Sequence, residues 1–167
     1  MPPGAIALVD EAASIRGWCV QSFAQVEFLL AALVEEAGRK WPEAYGQFSE
    51  SMPFAAGKRP GRVRALLAVE GPLKEHAAEI ERLMVDFDSF ESFRHLIVHG
   101  WTDILRTPSR LMIRWRRYSP TTADPWSRIE VATTIETLRE QGQQAKHFSH
   151  AAVLYLRELF MHYNLED

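Results

Sequence analysis

Between Phe93 and Trp101 the chain runs Phe93-Arg94-His95-Leu96-Ile97-Val98-His99-Gly100-Trp101, placing one guanidinium and two imidazoles within six positions. Imidazole changes charge near neutral pH and serves as a proton acceptor there. A guanidinium presents paired donors to a phosphate or carboxylate. His95 and His99 are four apart and so share a face of any helix they occupy. That spacing also suits two metal ligands from one helix. A zinc-protease helix carries Glu directly after its first His, whereas Leu96 stands there in this chain. Further ligands would have to come from His76, His147, His150 or carboxylates, and the site expected here contains no metal and no cofactor. Arg94 and His99 are five apart, about 140° round an ideal helix, so they meet in one cleft only if the arginine stem curls. A structural role is open to both: Arg94 bracing helices through Glu27, Asp86 or Asp88, and His99 capping the last carbonyls of its helix.

A second concentration of chemistry lies from Asp103 to Arg128. Arg106, Arg110, Arg114, Arg116, Arg117 and Arg128 face only two acids there, Asp103 and Asp124, in a chain of net charge −3. Arginine interleaved with Trp115, Tyr118 and Trp126 suits phosphate contact and base stacking, so Arg106, Arg110, Arg114, Arg116 and Arg117 are expected to contact nucleic acid. The alternative is a strand face whose arginines pair with Glu130 or guard an edge. Cys19, the sole cysteine, sits on an apolar stripe and is expected to be an inert core thiol.

These residues need elements to hold them. Ile15, Trp18, Cys19, Phe23, Val26, Leu30, Leu33 and Ala37 recur at helical spacing and predict a helix over 8–37, closed by Gly38 as a left-handed cap. A second apolar row, Val20, Ala24, Ala31 and Val34, is interrupted by Glu27 and widens the stripe, as for a central or partner-shared helix. Residues 39–61, rich in Pro and Gly, form a connection anchored by Trp41, Tyr45, Phe48 and Phe54, with a helical turn around 43–51. A helix from about Arg62 breaks at Gly71-Pro72. Pro72 then opens a further helix to about Val85. Asp88 or Ser89 is expected to cap a short helix over 90–99 that Gly100 stops. Alternation over 110–118 and 127–132, with turn residues between, predicts a β-hairpin. Thr133-Thr134-Ile135-Glu136 matches a capping box and opens a last helix to about Tyr163. The expected fold is mainly α: a single helical domain over 1–167, with a hairpin insertion at about 103–132 before the final helix.

The whole chain is 167 residues, 47% apolar and 25% charged, which suits one globular domain and excludes a disordered chain. No global positive field drives it toward nucleic acid or membrane. One cysteine excludes an internal disulfide. The N-terminus lacks the basic start and apolar stretch of a signal peptide. The longest uninterrupted apolar run, Phe28 to Val34, is too short to span a bilayer. A cytoplasmic protein without a membrane contact is expected.

On Arg94, His95 and the Val98-His99-Gly100 ending, the chain resembles the HEPN superfamily. These are small helical bundles of prokaryotic toxins, defence systems and RNA-processing enzymes. Their signature is an Arg, usually a polar residue next, then a His after four to six positions at the end of a core helix. The resemblance is strong over 90–101 and weak over most of the rest, where a long first helix carrying Glu27 matches the family's arrangement. The inserted hairpin is not a general family feature. The resemblance implies a metal-independent endoribonuclease, with His99 as base, Arg94 holding the crowded phosphate, His95 in the polar position and Glu27 orienting one of them. It also implies a homodimer acting on RNA, with a cognate antitoxin as a further partner. Many members keep the fold without cleaving, so the alternative is a non-catalytic module that binds RNA, a nucleotide or a protein.

Overall fold

Apolar residues at helical spacing carry α1 from Pro3 to Lys40 in the computed structural model, which describes residues 3–49 and 59–165. Then follow α2 (Pro42–Ser49), α3 (Arg59–Ala68), a 3₁₀ turn (Pro72–His76), α4 (Ala77–Ser89) and α5 (Glu91–His99). Three strands come next, β1 (Trp101–Arg106), β2 (Leu111–Tyr118) and β3 (Arg128–Thr133), before α6 (Ile135–Tyr163). The architecture is mainly helical with a small antiparallel sheet, ordered β1-β2-β3, before the last helix. The chain forms two compact units. One comprises Met1–Ser22 and Phe90–His147, the other Phe23–Ser89 and Phe148–Asp167.

In the first unit, the sheet and α5 share a core in which Ile97, Ile113 and Trp115 are sealed from water. Alternation in β2 turns Ile113 and Trp115 to one face and Arg114 and Arg116 to the other. The start of α6 lies so near α1 that a Cβ on Gly142 would stand 2.8 Å from a methyl of Ile15. Only a hydrogen fits there.

The second unit has helices and no strand among its described residues, with Phe23, Leu33, Leu66, Met84 and Leu156 buried. Its polar groups brace the helices. Tyr45 Oη accepts the Leu73 backbone N–H at 3.0 Å, satisfying a donor that burial would otherwise strand. Arg64 donates to Glu81 at 2.9 Å and to Asp88 at 2.9 Å, tying α3 to the middle and the C-terminal end of α4. Pro72 opens the 3₁₀ turn, where its missing N–H costs nothing.

Several expectations require correction. Gly38 lies inside α1, and no described glycine has positive φ. Its role is steric: a Cβ there would stand 2.3 Å from the Ser49 side chain, so α2 packs against α1 only over a glycine. Asp88 and Ser89 belong to α4 and do not cap α5, which starts after Phe90 without a side-chain cap. The cap of α6 is displaced by one residue: Thr134 Oγ1 accepts the Thr137 N–H at 3.1 Å, leaving Thr133 as the last strand residue. The hairpin is a three-stranded sheet, because 101–106 adds a strand through the turn at 107–110. In the second apolar row of α1 only Val34 is buried, while Val20 and Ala24 are exposed. Trp41, Tyr45 and Phe48 are packed as anchors, and Phe54 lies outside the described residues. Finally, α1 over Gly4–Lys40 is long and apolar enough to cross a membrane, although no uninterrupted run within it is. Isolated polar residues are tolerated in such a span, and the core helix of a soluble protein passes the same test. In this protein 39% of the apolar window is buried inside the structure.

Candidate nucleic-acid interface

The last turn of α5 is built by its own sequence. Ile97 anchors it in the core, and Gly100 leaves the helix in an extended conformation (φ −80°, ψ 138°), so β1 begins one residue later. Helix ends leave orphan carbonyls. The Val98 carbonyl accepts from Arg16 Nη2 at 3.1 Å, and the Arg16 guanidinium also lies over the Trp115 ring at 5.9 Å. Arg16 was not singled out in the sequence, since an arginine near the start of α1 carries no mark of the helix end it meets.

His99 is exposed and borders a hollow of about 280 Å³ with Trp101, Arg116, Arg117, Tyr118 and Arg128. The sheet register explains the gathering. Trp101 pairs with Arg116, and Tyr118 with Arg128, and directly opposed residues share a face. Arg117 points to the other face, the one that α5 covers. His95 lies one turn before His99, their ring centroids 6.1 Å apart. Burial, then the positive charge of Arg94, holds His95 below the ordinary histidine pKa; Arg117 and His99 act in the same direction and Glu91 opposes them.

The predicted arginines divide into three groups. Arg116 and Arg117 border the hollow. Arg114 is occupied by a two-pronged pair with Asp103, at 2.8 and 2.9 Å, and its Nη1 stands 3.6 Å from Glu130. Arg116 also reaches Asp103, and these hydrogen bonds, that of Arg114 foremost, lower the Asp103 carboxyl pKa. Arg106 pairs with Leu111 at the opposite end of the strands, beside the exposed Arg110, so neither joins the hollow. Arg128 does join it, together with Trp101.

Arg94 is half-buried, its Nε sealed from solvent, and it does not line the hollow. The five-residue spacing to His99 therefore acts as helix geometry requires. Glu27 belongs to the second unit, where its carboxylate lies 3.7 Å from Arg59. Asp88 is held by Arg64. Among the described residues no three His, Cys, Asp or Glu side chains gather as metal ligands. His76 instead has its Nδ1 3.3 Å from the Tyr155 hydroxyl. Cys19 is fully buried, and desolvation pushes its thiol up to about 12, far from the thiolate needed for reactivity.

No protein-family model matches this chain, and no curated protein or solved structure is significantly similar to it. Function must therefore be argued from the site itself. Three arginines, the His99 imidazole and two exposed aromatic rings gather around one small hollow.

Proposed function

We propose that this protein acts on RNA at the His99 hollow, as a HEPN-like, metal-independent endoribonuclease of the cytoplasm. The observation that supports this best is the exposed His99 beside Arg116, Arg117 and Arg128. In this reading His99 takes the proton of a ribose 2′-OH as its oxygen attacks the neighbouring phosphorus. The arginines stabilise the charge that builds on the phosphorane. Attack closes a 2′,3′-cyclic phosphate and expels the 5′-oxygen of the next nucleotide, which takes up a proton from water and departs as a hydroxyl, so DNA is not a substrate. Arg94, expected to hold the phosphate, acts from behind through its charge on His95, and the sheet arginines take the phosphate role. Glu27 is a bracing residue of the second unit. A homodimer fits the exposed row Val20, Ala24 and Phe28 at i, i+4 and i+8 of α1, an apolar face suited to a second copy. A cognate antitoxin is a further partner on this reading.

The test is cleavage of an oligoribonucleotide in chelator. The wild type is expected to cut, and His99→Ala to lose at least a hundredfold in rate. A strand with a single 2′-deoxy residue at the cut site should resist. Cleavage that chelator abolishes, or that His99→Ala retains, refutes the reading.

A second reading is favoured by one observation. Arg94 is set into the packing and away from the hollow, as in a HEPN-like module that binds without cleaving. Binding with no cleavage by wild type or variant establishes that reading.

A further inference from the structure

Three large aromatic side chains crowd the end of the sheet where it meets His99. Trp101, at the start of β1, is 68% exposed; Tyr118, at the end of β2, is 62% exposed; Trp126, in the β2–β3 loop, is 76% exposed. Rings of this size are seldom left in water without a partner to cover them, because each carries a large apolar area. Tyr118 and Trp126 meet edge to face at 6.3 Å, so the loop holds its ring against the strand. The loop is fixed by its own bonds: Asp124 Oδ1 accepts the Trp126 N–H at 2.9 Å, and Ser119 N–H donates to the Ser127 carbonyl at 2.8 Å. Trp101 and Tyr118 border the hollow with Arg116 and Arg128, and Arg117 and Arg128 make no ion pair with any described residue.

We infer that Trp101, Tyr118 and Trp126 form a stacking surface for unpaired bases, which seats a short single-stranded RNA segment with its phosphates on Arg128 and Arg117. The chemistry chooses the occupant. Arginines supply the complement to a polyanion, and exposed rings supply faces on which any base stacks. A duplex hides its base faces, and a hollow of about 280 Å³ is too small to admit one. An acidic peptide would use the arginines and leave three rings uncovered. The inference rests on the reading of the hollow as an RNA site, but it concerns seating and is independent of cleavage.

The experiment uses the full chain carrying His99→Ala, so that bound RNA stays intact. Its probes are a fluorescent oligouridylate and an abasic ribose-phosphate strand of equal length. The base-bearing strand is expected to bind about tenfold or more tightly than the abasic one. Trp126→Ala, in an exposed loop, is expected to weaken the oligouridylate by about tenfold and leave the abasic strand unchanged, and Trp126→Phe to restore most of the loss. Trp101→Ala checks the strand side in the same way. Equal binding of the two strands overturns the stacking surface while leaving the phosphate site standing. Binding of neither strand overturns both. Capture by anionic phosphatidylserine vesicles, dependent on Trp126 and with no response to oligouridylate, overturns it in favour of a membrane surface.

Discussion

The two compact units use the same residue types for opposite ends. In the helical unit, Arg64 is closed off by Glu81 and Asp88, Tyr45 by the Leu73 N–H, and Tyr163 stands 3.0 Å from the Pro72 carbonyl and 2.6 Å from Glu75. In the sheet unit Asp103 holds Arg114 and Arg116, and Glu11 holds Arg139. Arg117 and Arg128 remain open beside exposed Tyr118 and Trp101. The difference teaches where to look for function. A guanidinium with an internal carboxylate holds elements together, and one held only by its backbone has its charge available to a ligand.

Three measurements test that contrast, the largest effect first. Trp115 fills the core of the sheet unit at 1% exposure, so Trp115→Ala is expected to cost about 3–5 kcal/mol in denaturant unfolding. A cost below about 1 kcal/mol would mean that the sheet is not the rigid support this contrast needs. Next, Arg64→Ala and Arg117→Ala should separate stability from binding. Arg64→Ala should lower stability by about 1 kcal/mol with RNA affinity kept, since its pairs are partly exposed. Arg117→Ala should leave the unfolding midpoint in place, weaken RNA severalfold and reduce the salt slope by about one. Loss of RNA affinity in Arg64→Ala alone would reverse the assignment. The smallest effect is a pH dependence. His95 has a folded-state pKa below its unfolded value, so the unfolded chain binds more protons in that window. Stability should therefore be unaffected above about pH 7 and decline as pH falls through about 6.5 toward the folded pKa. His95→Gln should flatten the decline, measured as unfolding midpoints at pH 7.5 and 5.5.

Much of the fold was legible because its signals are local. Apolar spacing marked α1, α4, α5 and α6, and alternation at Ile113 and Trp115 marked β2. What escaped was set by distant neighbours. In β1, the sequence Trp101-Thr102-Asp103-Ile104-Leu105-Arg106 mixes apolar and polar side chains on both faces, so no period of two betrays it. Gly38 looked like a cap because nothing in the chain announces Ser49 against it. The candidate site was half legible. His95 and His99 stood out by type and spacing, and the arginine-rich segment by charge. Their sorting required the register, which sets Asp103 opposite Arg114 and Trp101 opposite Arg116. Trp101 drew no notice as a site residue because one tryptophan after a helix has no periodic signature.

Between His99 and Trp101 stands only Gly100. Two peptide units separate their Cα atoms, a reach of at most about 7.6 Å. No hinge or swinging lid can intervene on so short a tether. Whatever settles on the indole is thereby gauged against the imidazole by covalent geometry, a ruler cut to length by the chain itself.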